Sequence, residues 1–144
     1  MFNFTTDTQI KSAIYFLLIV IAGFVLPLVL IPVINFTGYS EIVEELAKAA
    51  VILFLVFKLP NLRQQIAGVV IFGFLFGLSE SIFYLNNIFQ VGNMGIFWQR
   101  FFTAIPMHII TALLIFAFAR FNKWLILVGF FLASFLHILF NIFA

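Results

Sequence analysis

The chain contains no cysteine and very little charge. The missing cysteine excludes disulfides, thiolate metal ligands and a cysteine nucleophile. Seven basic and five acidic residues, 12 charged residues in all, stand where a soluble domain of 144 residues would carry about 36. A water-exposed surface cannot be built from so few charges, so a soluble globular protein is excluded.

Hydrophobic residues instead make up 65% of the chain, and 23 residues are phenylalanine. Disorder requires low hydrophobicity, so it is excluded as well. The class that remains is an integral membrane protein. The few basic residues are spread along the chain rather than clustered, which argues against a nucleic-acid partner.

Apolar runs separated by short polar turns predict an all-α, polytopic membrane bundle of about five transmembrane helices. We place these helices at about residues 12–34, 40–57, 64–86, 97–119 and 124–144. Residues 1–11 are then a short polar lead-in, and residues 87–96 are a polar loop that contains glycine. The whole chain, residues 1–144, is interpreted as a single transmembrane domain.

The basic residues predict the orientation of this bundle. With five spans, the loops on one side of the membrane hold no basic residue apart from Arg100, which lies just inside the fourth helix. Five basic residues fall on the other side: Lys11, Lys58, Arg63, Arg120 and Lys123. Such a bias is typical of cytoplasmic loops. We therefore expect a cytoplasmic N-terminus and a C-terminus on the outside.

Several ionisable residues interrupt the spans, although a charge at the bilayer centre costs at least about 2.5–3.5 kcal/mol. At a rise of about 1.5 Å per residue, all of them lie in the outer half of the membrane, on four helices. Glu80 lies about 9–10 Å and His108 about 16 Å from the outer ends of their helices. The full set is Glu44, Glu45, Lys48, Glu80, Arg100, His108 and His137, with Asn141 as a polar companion and Glu41 near the rim. These residues predict one polar cluster that opens outward.

Two carboxylates beside two histidines and an asparagine suit the activation of water. A glutamate can take the proton from water, and a histidine or asparagine N–H can stabilise an oxyanion. The same residues could hold a metal, with His108, His137 and Glu45 as a two-histidine, one-carboxylate zinc shell and the second glutamate as base. No HExxH motif is present, so the cofactor stays open between none and zinc.

Structural roles compete with these chemical ones. Glu44, Glu45 and Lys48 could form an ion pair that ties the second helix to its neighbours. Arg100 could bind lipid phosphate, and Glu80 could only orient its neighbours. A non-catalytic membrane module that binds ions or protons, or an interaction protein, would explain the same buried charges. A conduction path, however, should carry polar residues through the inner half of the membrane too.

Four motifs, in order, resemble those of the PrsW family of intramembrane proteases, distant relatives of the CAAX prenyl proteases and the ABI group. Residues 44–48 read as EExxK, and residues 73–80 resemble the glycine- and glutamate-containing second motif. Arg100 with residues 106–112 resembles the third motif, and residues 137–141 read as HxxxN. The resemblance covers about residues 40–144.

The resemblance implies an intramembrane endopeptidase that cuts near the outer face of a prokaryotic plasma membrane. Its substrate would be a single-span membrane protein or a membrane-bound peptide. Water would be activated by Glu44 or Glu45, or by both, with help from His108. The oxyanion would be held by His137 and Asn141. The residues in supporting roles would be Lys48, Glu80 and Arg100.

Overall fold

The structure is a computed structural model that describes residues 4–91 and 94–143. Within these residues the chain forms five α-helices, one short 3-10 helix at Lys123–Leu125 and no strand. The α-helices are α1 (Phe4–Thr37), α2 (Ser40–Lys58), α3 (Leu62–Val91), α4 (Met94–Phe121) and α5 (Ile126–Phe143). The predicted all-α bundle of five helices is confirmed.

Four segments are long and apolar enough to cross a membrane, and they lie at Gln9–Thr37, Leu62–Leu85, Met94–Phe121 and Lys123–Phe143. The α-helix that does not meet this description is α2, and the reason is its charged residues rather than its length. Its 19 residues span about 28 Å, close to the hydrocarbon thickness of a bilayer. The other four helices all contact α2. The protein is therefore a multi-pass membrane bundle whose most polar helix lies at its centre.

Two segments predicted to be irregular are helical instead. Residues 4–11 begin α1, where Asp7 and Lys11 form an i,i+4 ion pair of 2.6 Å. Residues 87–91 extend α3 and residues 94–96 begin α4, so the predicted loop reduces to residues 92–93, which lie outside the described part. At lengths of about 45 and 42 Å, α3 and α4 span the headgroup layers as well as the hydrocarbon core. Polar residues are compatible with a helix at that depth.

Glycine lets α3 pack closely against α4. A Cβ added at Gly73 would lie 2.9 Å from the Cα of Ile109, and one added at Gly77 would lie 2.9 Å from the Cα of Ile105. Small residues at helix interfaces allow backbones in a membrane to approach this closely. This packing presents His108, between those two contacts, to the interior of the bundle.

The buried residues divide the bundle into two ends. We call the end where α1 finishes and α2 begins the site end, because the buried charged residues Glu44, Glu45 and Lys48 lie in that part of α2. The apolar core extends towards the other end, and its fully buried members include Ile52, Leu55, Val69, Phe72 and Ile115.

The first helix is held to the bundle mainly by its middle. Ser79 donates a hydrogen bond of 2.8 Å from Oγ to the carbonyl of Phe24, and Gly23 packs against Leu75. Further along α1, towards the site end, Pro27 is buried, but no residue from 28 to 37 is. The last third of α1 therefore lies against the bundle without entering its core.

Candidate active site

The centre of the site is one face of α2. Glu41, Glu44, Glu45 and Lys48 follow the i, i+3, i+4, i+7 spacing that aligns side chains along a helix. Since α2 contacts all the other helices, this face meets α3, α4 and α5 rather than lipid. Glu45 and Lys48 are fully buried and Glu44 is 7% exposed, whereas Glu41 lies at the rim.

Lys48 is the hub of the hydrogen-bond network. Its Nζ donates to Glu45 Oε1 at 2.7 Å and to Thr111 Oγ1 at 3.2 Å, and it lies 2.6 Å from His108 Nδ1. An ammonium group has three donors, so these contacts use all of them. Nζ also lies 4.8 Å from the centre of the Phe76 ring. A buried cation that would otherwise be costly is thereby paired and fully hydrogen-bonded.

The contacts of the two histidines place the ring proton on different nitrogens, Nε2 in one ring and Nδ1 in the other. His108 Nδ1 faces the Lys48 ammonium, which can only donate, so the proton of a neutral His108 lies on Nε2, and this nitrogen contacts Glu80. His137 Nδ1 lies 2.8 Å from Glu45 Oε1, and a carboxylate only accepts. The proton of His137 is therefore on Nδ1, which leaves the lone pair of Nε2 available.

Glu44 is the carboxylate without a committed partner. Its Oε2 is buried and has no hydrogen-bond partner among the described residues, and it lies 4.0 Å from His137 Nε2. Glu45 Oε2 is also unpartnered, but the other oxygen of Glu45 is engaged by Lys48 and His137. Buried polar atoms are rarely left unpaired, because that costs about 1–3 kcal/mol. Glu44 Oε2 is thus positioned to accept from a water or a substrate, or to bind an ion.

The remaining predicted residues lie at the edge of the cluster. Arg100 Nη2 is 3.9 Å from Glu80 Oε1, and its guanidinium lies 3.9 Å from the centre of the Tyr84 ring. Asn141 is exposed, and its Nδ2 donates to Glu41 Oε1 at 2.8 Å. In residues 4–91 and 94–143, no hydrogen bond joins Asn141 to a glutamate other than Glu41 or to a histidine.

Two contact residues were absent from the sequence-based site. Thr111 accepts from Lys48, and Tyr84 lies against Arg100. Both have a signal in the sequence, because Thr111 follows His108 by three residues and Tyr84 follows Glu80 by four. Such residues share a helical face with the residue that they follow.

The site lies deeper below the helix ends than the sequence predicted. Glu80 is 11 residues from the end of α3 and His108 is 14 residues from the start of α4, which corresponds to about 16 and 21 Å. Glu44 is only about 6 Å from the start of α2. The predicted depths of Glu80 and His108 were too small because both helices are longer than expected. The ends of α3 and α4 therefore project about 10–15 Å beyond the start of α2.

A cleft opens next to the cluster, between the ends of α1 and α3 and the start of α2. Its volume is about 280 Å³. Both Glu44 and Glu80 reach its wall, so the cleft connects the cluster with the surroundings of the bundle. Its lining consists of Pro27, Ile31, Ile34, Asn35, Ser40, Glu44, Glu80, Phe83 and Tyr84.

The cluster has the donor set of a metal site. Glu44, His108 and His137 each offer a ligand atom, and these atoms lie within 4.8 Å of one another. Two imidazoles and a carboxylate form hydrolytic zinc sites, and the Glu45 contact to His137 Nδ1 is the usual support for such a ligand. The unpartnered Glu44 Oε2 fits an ion as well. Both ring nitrogens of His108 have partners, so an ion bound there would replace one of these contacts.

The carboxylate in this group differs from the sequence-based assignment. The sequence predicted Glu45 as the possible metal ligand beside His108 and His137, whereas the atoms that could hold an ion in the structure belong to Glu44 and the two histidines. Glu45 Oε1 already accepts from Lys48 and His137, so the candidate group contains Glu44 in place of Glu45.

Comparison with known proteins gives one match. The model of a family described as PrsW family intramembrane metalloprotease matches residues 10–144. This match extends the resemblance from residue 40 back to residue 10 and so includes α1. No curated protein and no solved structure matches the chain.

Proposed function

Because this chain belongs to the PrsW family of intramembrane metalloproteases, we propose that it is an endopeptidase that hydrolyses membrane-anchored substrates at Glu44, His108 and His137. The proposal depends above all on one observation. Glu44 lines a cleft, and its buried Oε2 has no partner among the residues that the structure describes and lies 4.0 Å from His137 Nε2. A hydrolase needs such an atom, because it must take a proton from water beside the substrate.

Water activation is assigned to Glu44 and His137. A water that donates to Glu44 Oε2 and His137 Nε2 fits the 4.0 Å between these two acceptors. Glu44 takes a proton as the water oxygen attacks the peptide carbonyl carbon, and it returns the proton to the leaving amine. Glu45 holds the His137 ring in place through Nδ1 and so keeps Nε2 directed at the water.

Stabilisation of the oxyanion is assigned to His108. Lys48 at Nδ1 keeps the His108 proton on Nε2, from which it can be donated to the carbonyl oxygen, in place of Glu80, as negative charge develops. The family resemblance implies the reverse division, with His108 assisting water and His137 and Asn141 holding the oxyanion. The contacts favour our assignment, since His137 has no proton on Nε2 and Asn141 donates to Glu41.

A metal ion, where bound, would be held by Glu44, His108 and His137. It would polarise the peptide carbonyl and acidify a bound water. Glu44 would then be a ligand instead of the base. Glu80, which contacts His108 Nε2, would be the carboxylate left to accept a proton.

The substrate we propose is a single-span membrane protein or membrane-bound peptide, cut near the outer face of a prokaryotic plasma membrane. The basic residues support this orientation, since Lys58, Arg63 and Arg120 lie at the end of the bundle opposite to the site. We also propose that residues 1–144 form one transmembrane domain, because all the other helices pack around α2.

An ion or proton path is the weaker alternative. Away from the site end, the described core consists of apolar side chains such as Ile52, Val69 and Phe72. The buried Gln65 there donates to the backbone carbonyls of Val56, in the last turn of α2, and of Leu59, just after it. The fully buried apolar side chains around it argue against a continuous polar path through that half of the described bundle.

The test is cleavage of a library of synthetic single-span peptides by the full chain reconstituted in lipid vesicles, with products identified by mass spectrometry. We expect cuts in the outer half of the peptide spans. The cleavage rate should fall by at least about 100-fold in the Glu44→Gln variant, because a general base is lost. The rate should stay unchanged in the control variant Asp7→Asn. The proposal is overturned if the wild type cuts no peptide, or if Glu44→Gln cuts as fast as the wild type.

A further inference from the structure

The cleft beside Glu44 has walls of three chemical kinds. The α1 wall is aliphatic, with Ile31 and Ile34, and the α3 wall is aromatic, with Phe83 and Tyr84. The floor holds the carboxylates of Glu44 and Glu80, and the rim holds the polar residues Asn35 and Ser40. A ligand of this cleft must therefore combine apolar side chains with hydrogen-bonding groups.

A residue with an unpartnered polar atom lines the cleft. Glu44 is 93% buried, lines the cleft and has no partner for Oε2 among the described residues. A second groove lies between α4 and α5 and has a volume of about 430 Å³, but its lining contains no charged residue. That groove is lined by Gln99, Thr103, Leu136, Leu139, Phe140 and Phe143. Although the α4–α5 groove is larger, only the α1–α3 cleft leads to a residue of the reaction.

The proposed reaction restricts the conformation of the occupant. In an α-helix each peptide carbonyl accepts a hydrogen bond from the N–H one turn further on. The carbonyl oxygen at the cut must instead accept from the oxyanion donor, and its carbon must be open to the attacking water. The stretch of a transmembrane substrate beside the cut therefore binds in an extended form.

An extended stretch brings unpaired backbone groups into the membrane, where each lost hydrogen bond is costly. The rim supplies partners, because the amide of Asn35 and the hydroxyls of Ser40 and Tyr84 can bond to a backbone. The isoleucines of α1 then face the substrate side chains. The occupant that matches both walls is an extended, largely apolar peptide.

The α1 wall is also the part of the cleft that packs most loosely. No residue between 28 and 37 is buried, and α1 is fixed through Gly23 and Phe24 further back. Pro27 and Pro32 have no N–H, so two backbone hydrogen bonds of a regular helix are missing in this part of α1. The wall beyond Leu30, which still packs against the core, can therefore move outward to admit a chain.

We propose that the cleft between α1 and α3 binds the extended peptide segment next to the scissile bond, and that Ile31 and Ile34 select the side-chain size that it accepts. The proposal rests on the proposed function, since it concerns the substrate of the same site. It assigns a specificity role to α1, which lies outside the four motifs of the sequence analysis.

The kinetic test compares two matched tryptophan variants on peptides that the wild type cleaves. Ile31 lines the α1–α3 cleft and is 40% exposed, and Leu136 lines the α4–α5 groove and is 42% exposed. We expect Ile31→Trp to raise KM about tenfold for peptides with large side chains beside the cut, and less for glycine or alanine. Its kcat stays within twofold, and Leu136→Trp changes neither constant. Equal effects of the two variants, or none, would overturn the proposal.

A second measurement does not depend on how well the tryptophan variants fold. A peptide from the same set, with a benzophenone photo-crosslinker beside its scissile bond, is irradiated with the full-length Glu44→Gln chain. We expect adducts on residues 27–35 and 83–84, and adducts confined to residues 99–143 would overturn the cleft assignment. If wild type cleaves these peptides while the adducts lie in the α4–α5 groove, only the cleft assignment fails. If wild type cleaves none, the proposed function fails and this inference fails with it.

Discussion

The difference between Glu44 and Glu45 is the residue-scale feature on which the chemistry depends. The two adjacent glutamates are about 100° apart around α2, and only Glu45 reaches both Lys48 and His137. The sequence predicts that both carboxylates belong to the site, because both interrupt an apolar helix. It could not predict which one is left without a partner, since that depends on where α4 and α5 place their histidines.

The two glutamates should therefore differ in their effect on stability. Glu45→Ala leaves the Lys48 ammonium buried without its carboxylate, and we expect a loss of about 3–5 kcal/mol. Glu44→Ala removes a buried carboxylate whose Oε2 has no hydrogen-bond partner in the described part of the chain, so we expect an unchanged or higher melting temperature. Thermal unfolding of both variants in the same detergent measures this difference. Equal losses would contradict the assignment of partners.

The metal ligand set gives a second residue-scale prediction. We expect purified wild type to bind one Co²⁺ per chain at Glu44, His108 and His137, with the visible absorption bands of a nitrogen- and oxygen-ligated ion. Glu44→Gln should weaken binding at least about tenfold, whereas Glu41→Gln at the rim should not change it. Wild type that binds no ion, or Glu44→Gln that binds as tightly as wild type, would contradict this ligand set.

At the scale of the elements, the close approach of α3 and α4 positions His108. A Cβ at Gly77 would lie 2.9 Å from His108 Cδ2, whereas the three atoms nearest to one at Gly73 are backbone atoms of His108 and Ile109. The two positions thus separate helix packing from the placement of the imidazole ring. Both glycines lie on the same helix and face the same partner, so they form a matched pair.

We expect Gly77→Ala and Gly73→Ala to lower the melting temperature by similar amounts, because both force α3 away from α4. Gly77→Ala should also lower the kcat of the folded protein at least about tenfold, since a displacement of about 1 Å can cost about 100-fold in rate. Peptide cleavage normalised to folded protein measures this. If both variants lose activity in proportion to stability, His108 does not depend on Gly77 for its position.

The ends of the helices mark the limit of prediction at this scale. The five helices and their order follow from the apolar runs, and the predicted ends of α2 lie within one residue of the observed ones. Residues 87–96, with their polar residues and glycines, indicated a loop, yet α3 continues to Val91 and α4 begins at Met94. A helix that is long enough to reach headgroup depth does not need an apolar sequence there. Local composition therefore indicates whether a segment lies in the hydrocarbon core more reliably than whether that segment is a helix or a loop.

At the scale of the whole molecule, the orientation is a prediction that the absence of cysteine makes easy to test. Single-cysteine variants at the exposed positions Tyr39, near the site end, and Lys58, at the opposite end, each carry only one thiol. We expect a membrane-impermeant maleimide on intact cells to label Tyr39→Cys and to label Lys58→Cys only after the cells are opened. The reverse pattern would contradict the proposed outward-facing site.

The location of the cluster could be predicted at this scale, but its internal contacts could not. Four separate helices carry the few charged or ionisable side chains of the spans. Because each such side chain costs free energy in contact with lipid, the sequence predicts that they share one polar centre. The contacts of Thr111 with Lys48 and of Asn141 with Glu41 join different helices. Such contacts depend on helix rotation and depth, which a single sequence does not give.

The central claim is that Glu44 and His137 act as one unit on the attacking water. A double-mutant cycle on kcat tests it most directly, with Glu44→Gln, His137→Gln and the double variant acting on one peptide that wild type cleaves. Residues of one catalytic unit are strongly non-additive. We predict that each single variant slows kcat at least about 100-fold and that the double variant is no slower than the slower single variant. Losses that multiply in the double variant, or a single variant within tenfold of wild type, would contradict the account.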